Sequence, residues 1–188
     1  MAFIPMIHEE EAQGDLRFLY GQIAGNRGGV ADVLKIHSLL PETMQAHFDL
    51  YKTIMFGLRR TGLSRRLLEM IGVVVSSCNE CRYCVEHHSQ PLRAMGLTER
   101  TIEALRHCRW EDMGELPVKE RLVLRHAVKI TREPASISAT DIEELREAGY
   151  SDEQILHLTL VASYFNFVNR NVMALGVQLE EGFEKTCR

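Results

Sequence analysis

Residues 69–88 read EMIGVVVSSCNECRYCVEHH, and most of what the chain says about its fold and chemistry starts there. Around Glu69, positions 67, 68, 70, 71, 73, 74 and 75 are all apolar, too continuous for a helix with a wet face. Ser64 stands where an N-cap belongs, so Ser64 to Cys78 reads as a helix buried nearly all round; Leu67 holds the place of the capping-box glutamate, so that box is incomplete. A carboxylate in such a helix must be hydrated in a cleft, paired or neutralised, unless it simply faces solvent. Asn79 suits the N-cap of a following helix, which would put Cys81 in a first turn where backbone dipoles lower a thiol pKa. With about 100° per residue, Cys81, Cys84 and His88 then fall at about 0°, about 300° and about 340°, while His87 at about 240° points elsewhere. One face would carry two thiols and an imidazole, the makings of a thiol redox centre.

A metal or cluster site is the obvious competitor, because Cys78-x-x-Cys81-x-x-Cys84-x-x-x-His88 echoes ferredoxin-type spacing. Cluster loops need irregular backbone, whereas VEHHSQPLRAMG continues as a helix. On one straight helix Cys81 and His88 are separated by about 10 Å of rise, while ligands of a tetrahedral ion lie about 4 Å apart. Cysteines at i, i+3 have Cα atoms about 5–6 Å apart, within disulfide range. The redox reading is favoured; a metal site and a pair of inert buried cysteines stay as alternatives.

Glu69, Cys81, Cys84 and His88, in the pattern E-x11-C-x2-C-x3-H, resemble the alkylhydroperoxidase D-like branch of the carboxymuconolactone decarboxylase superfamily, and Cys81-Arg82-Tyr83-Cys84 resembles the C-x-Y-C of its peroxidase-related members. The likeness is specific from Glu69 to Leu97 and weaker through SYFNFVNRNVMALGVQLE. It implies an all-helical homo-oligomer, trimeric or hexameric, that reduces hydrogen or organic peroxides with a thiol or dithiol reductant and no cofactor or metal. It also implies that Cys84 attacks the peroxide, although the dipole argument alone makes Cys81 the more acidic thiol. Cys81 is then the resolving thiol, and Glu69 with His88 forms a proton relay. The decarboxylase side of the superfamily lacks the cysteine pair; a redox sensor using the same pair is a further alternative.

Composition narrows the field. The 188 residues, 45% hydrophobic, fit one domain, expected as a helical extension (1–60), an active-site hairpin (61–110) and a C-terminal helical half (118–180). A net charge of −4 without a basic block leaves nothing for nucleic acid to bind. MAFIPMIHEEE lacks a positive n-region, and no apolar run is long enough to span a membrane. Five cysteines, at 78, 81, 84, 108 and 187, three of them within seven residues, are not a disulfide framework, and a reducing, cytoplasmic setting is expected.

The flanks read as helices too. Glu9 to Gly25 is one, ended by Asn26-Arg27-Gly28-Gly29, a turn that lacks the Lys-Ser/Thr of a phosphate loop; Val30 to Leu40 is a short second, and Pro41 starts a third that runs to Gly57. His37 and His47 read as core or surface histidines. Pro91 should kink or end its helix, Gly96 closes it, and Thr98 opens the next. Cys108 has no partner at a telling spacing and reads as a small buried hydrophobe. An amphipathic helix stopped by Pro134 and a short acidic helix from Ser138 to Gly149 follow, then a long apolar helix from Ser151. Its VASYFN and ALGV echo VVSSCN and AMGL, which suggests a degenerate second copy of the hairpin with Tyr164, Asn166 and Asn169 as core or pocket residues.

Overall fold

The computed structural model describes residues 2–25, 29–111 and 113–186, and among these residues there are nine α-helices and no strand. The all-helical reading holds. In order they are α1 (Gly14–Ala24), α2 (Asp32–Lys35), α3 (Pro41–Lys52), α4 (Arg65–Cys78), α5 (Arg82–Ala94), α6 (Glu99–Arg106), α7 (Val118–Arg132), α8 (Ala139–Glu147) and α9 (Asp152–Ala174). The first two are shorter than their patterns suggest. Gly14 at φ +52° interrupts any helical path from Glu9, and after Lys35 the chain leaves α2 through turns. The expected turn at 26–28 lies outside the described residues, as does Cys187. Pro41 does occupy the first turn of α3, which passes into a π-helical turn at Thr53–Gly57.

α4 is the axis of the molecule. Ser64 caps it by accepting the Leu67 N–H, and every residue from Leu67 to Ser76 is buried. It packs against α5, α6, α7 and α9, so its Val73-Val74-Val75 run finds apolar neighbours on all sides without needing a sheet. At ~1.5–3 kcal/mol for each fully buried large side chain, this one helix accounts for much of the hydrophobic stabilisation. A second cluster, with Leu16, Leu19, Tyr20, Ile23, Met44 and Phe48, joins α1 to α3 and stands against the site from the other side.

The connection from α4 to α5 departs from expectation. α5 starts at Arg82, with Cys81 itself as N-cap, because Glu80 at φ +59° turns the chain sharply before the helix can form. Asn79 does not cap α5: its side-chain amide donates to Asn166 Oδ1 (3.0 Å) and Asn169 Oδ1 (2.9 Å) on α9. α5 carries Pro91 in its last turn and continues to Ala94, with Leu92 fully buried and Gly96 at φ +83° closing it. AMGL and ALGV are the same helix-ending turn, in which the N–H groups of Leu97 and Val177 reach the carbonyls of Leu92 and Val172. The copies differ where chemistry is expected: the first breaks at residues 79–81, whereas α9 runs unbroken through Val168.

Candidate active site

Glu69 is completely buried, so the solvent-facing alternative is excluded. Its Oε2 lies 2.6 Å from His88 Nδ1 on α5, and its Oε1 accepts from Arg65 Nε at 2.7 Å. Burial alone would push this carboxyl up; the His88 imidazole and the Arg65 guanidinium together hold it below the usual carboxylate range. A carboxylate can only accept, so His88 carries its proton on Nδ1 and keeps the Nε2 lone pair free in the neutral ring. Arg65 is itself fixed: Nη1 donates to the Met55 carbonyl (3.2 Å), Nη2 to the Tyr51 hydroxyl (3.3 Å), and the guanidinium lies 3.8 Å over the Phe56 ring. His88 is fixed from the side by an edge-on contact with Phe165, centroids 4.5 Å apart. Phe165 can come that close because Gly72 faces it; a Cβ on Gly72 would stand 2.6 Å from the ring.

Cys81 and Cys84 are both buried and share a hydrogen bond. That bond from Cys84 lowers the Cys81 thiol, whereas burial and the Cys81 sulfur push the Cys84 thiol well up. Of the two thiols Cys81 is therefore the more readily ionised and Cys84 the one that holds its proton more tightly. The fully buried Asn169 lies beside both sulfurs and favours the thiolate at each; its Nδ2 also donates to Ser76 Oγ at 3.0 Å.

A cavity of about 80 Å³ opens onto Cys84 and His88. At ~10–15 Å³ for one water-sized site, it admits a small organic group. Its walls are largely apolar and aromatic, among them Ile23, Leu34, Tyr51, Tyr83, Tyr164 and Val168. Cys81 does not line it; that residue belongs to the wall of a second depression with Phe3, Arg82, Val172 and Leu179, and Tyr83 forms part of both walls. Tyr83 is held there by the Val33 N–H (3.1 Å) and by stacking on His87.

All four residues singled out from the sequence thus gather here: Glu69 with His88, Cys81 with Cys84, and Cys84 with His88 on one cavity. Of the three α9 residues, Tyr164 lines the cavity and Asn169 touches the thiols, while Asn166 turns to Asn79 and Thr131. Two features went unread. Arg65 was signalled by its i, i+4 spacing to Glu69. His47 reaches Tyr164 Oη at 2.8 Å and His37 at 3.2 Å, a contact between residues 117 apart that no local pattern announces. Cys78, counted in the cluster spacing, turns to Cys108 instead.

Residues 41–110 match the carboxymuconolactone decarboxylase family. An alkylhydroperoxidase AhpD core structure, an uncharacterised peroxidase-related protein from Ralstonia eutropha JMP134, superposes with a TM-score of 0.84 over 97% of this chain and 94% of its own, at 24% identity. A peroxidase-related protein from Silicibacter sp. TM1040 does so with 0.81 over 98% and 96%, at 28% identity. The debrominase Bmp8, solved with 2,3,4-tribromopyrrole, shares the fold over 99% of this chain and 97% of its own, with a TM-score of 0.76 and 19% identity.

Proposed function

We propose that the chain, whose residues 41–110 match the carboxymuconolactone decarboxylase family, is a thiol-dependent peroxidase acting in the cytoplasm. The observation that carries the reading is that Cys84 and His88 open onto one cavity while Glu69 Oε2 holds the far side of the His88 ring at 2.6 Å. His88 Nε2 takes the Cys84 proton; the Cys84 thiolate attacks one peroxide oxygen, the O–O bond breaks, and the imidazolium returns the proton to the departing alkoxide. Cys84 is left as a sulfenic acid. Cys81 attacks that sulfur, water leaves, and a Cys81–Cys84 disulfide remains for an external dithiol to reduce. Glu69 stays ionised throughout and stabilises the transient imidazolium.

The apolar walls suit an organic hydroperoxide better than hydrogen peroxide, which would leave aromatic surface uncovered. The test is steady-state consumption of hydrogen peroxide and of an aromatic hydroperoxide with a dithiol reductant. Turnover of the organic peroxide that is lost in Cys84→Ser is expected; no turnover of either would sink the reading. The same walls favour one second reading, reductive dehalogenation of a small aromatic such as the bromopyrrole bound by Bmp8. Bromide release from a bromopyrrole in the presence of thiol, without peroxide turnover, would select it.

A further inference from the structure

The proposed reaction leaves one pair of thiols unused. Cys78 ends α4 and Cys108 lies two residues beyond α6, yet their Sγ atoms are 3.6 Å apart. Both are half-buried, and so more exposed than the buried Cys81 and Cys84.

The backbone at Cys108 makes this meeting. α6 ends in a Schellman turn, with the Arg109 N–H on the Ala104 carbonyl (2.7 Å) and the Cys108 N–H on the Leu105 carbonyl (3.1 Å), which leaves Cys108 at φ +52°. A side chain in that left-handed position is strained, so glycine usually takes it. α5, α8 and α9 end in the same turn and do use glycine, at Gly96, Gly149 and Gly176. Cys108 stands where a residue without a side chain would be more stable, and its thiol points at the one other half-buried thiol among the described residues. The hydrogen bond from Cys108, and then the Arg132 guanidinium beside it, bring the Cys78 thiol down to about 7, whereas Cys108 is pushed up. One of the two is thus suited to attack and the other to follow.

We propose that Cys78 and Cys108 are a second redox pair, closing to a disulfide between the ends of α4 and α6 when the protein meets a low-molecular-weight disulfide. From 3.6 Å the sulfurs need to approach by only ~1.5 Å to reach bonding distance. The Cys78 thiolate attacks one sulfur of the small disulfide, whose S–S bond breaks and releases one thiolate. Cys108 gives its proton to solvent and attacks the Cys78 sulfur of the mixed disulfide, releasing the second thiolate. The protein loses two electrons, and the small disulfide becomes two thiols.

The experiment uses the full chain with Cys81→Ser, Cys84→Ser and Cys187→Ser, treated with glutathione disulfide, quenched in acid, alkylated and digested with trypsin without reduction. Peptide 67–82 should be recovered linked to peptide 107–109, with the intact mass lower by two hydrogens. Adding Cys108→Gly should abolish the link and leave a glutathione adduct on Cys78, while the melting temperature stays level or rises because the strained side chain is gone. That last result separates loss of the pair from loss of the fold. Two freely alkylated cysteines, or separate glutathione adducts on both in place of the link, would overturn the proposal.

Discussion

Arg65 and Glu69 stand one turn apart on α4, and the guanidinium takes the carboxylate oxygen that His88 leaves free. A buried carboxylate with both a guanidinium and an imidazole as partners behaves differently from one with a single partner. Arg65→Met should leave Glu69 under-compensated, raise its pKa and destabilise the fold by about 3 kcal/mol, read by chemical denaturation. Glu69→Gln removes the charge and the need for it together, so its stability cost is smaller, but peroxide turnover should fall by ~10²-fold or more. Disulfide formation by a strong oxidant should survive in Glu69→Gln, since the two thiols are untouched.

The cysteine roles separate by product. Cys84→Ser should abolish turnover, and Cys81→Ser should leave a trapped sulfenic acid on Cys84 after peroxide treatment, visible by mass spectrometry. Removing the Cys81 sulfur also removes two of the causes that raise Cys84, so the thiolate absorbance of Cys84 should titrate at lower pH in Cys81→Ser than burial and its partner impose together. If Cys81→Ser loses all peroxide reactivity and Cys84→Ser keeps it, the roles are reversed.

The residues that sequence reading reached are those whose signal is local. An unbroken apolar run with one carboxylate in it announces a buried, compensated Glu69, and cysteines three apart beside a histidine announce one another. Cys108 reads in sequence as a small buried hydrophobe because its partner is thirty residues away and is met only through a left-handed backbone that cysteine seldom adopts. The start of α5 was misplaced for the same reason: Glu80 at φ +59° is a turn residue that composition does not mark. His47 looked like filler because Tyr164, which it bonds, comes from the opposite end of the chain.

Gly72 should tolerate no side chain. In Gly72→Ala the new Cβ displaces the Phe165 ring, which in turn bears on His88. The expected outcome is a loss of ~1–3 kcal/mol in stability and a drop in kcat, both largely restored by adding Phe165→Leu. An unchanged kcat in Gly72→Ala would show that the ring does not position His88.

Acid should weaken the fold because buried His47 resists protonation. His47 is pushed down to about 3, chiefly by burial and then by His37, so between the ordinary histidine value of 6.5 and that point the unfolded chain binds a proton that the folded chain refuses. Stability therefore falls as pH falls, by up to ~1.4 kcal/mol per pH unit from this residue. Glu69, held below 4.5, contributes in the same direction only at lower pH, so the interval from 6.5 to 4.5 isolates the histidines. Denaturation midpoints at pH 7 and pH 5 should lie closer together in His47→Gln than in the parent.

Self-association is expected from α9, which presents Leu156, Leu160 and Phe167 to solvent on the side opposite its buried residues. Light scattering should give a native mass that is a multiple of 21.5 kDa, as a trimer or hexamer. A stable monomer at micromolar concentration would refute it, and Leu156→Glu with Phe167→Glu should produce that monomer.

Cys84 lines one depression and Cys81 another, with Tyr83 in the wall of both, and this bears on the order of events during turnover. An oxidant that reaches Cys84 from one side and a reductant that meets Cys81 from the other do not contend for the same space, so excess of either should not block the other. Initial rates should then give parallel lines in double-reciprocal plots, without the downturn at high reductant that a shared entrance would impose. Widening one depression at a residue that does not line the other should change the specificity of one half-reaction only.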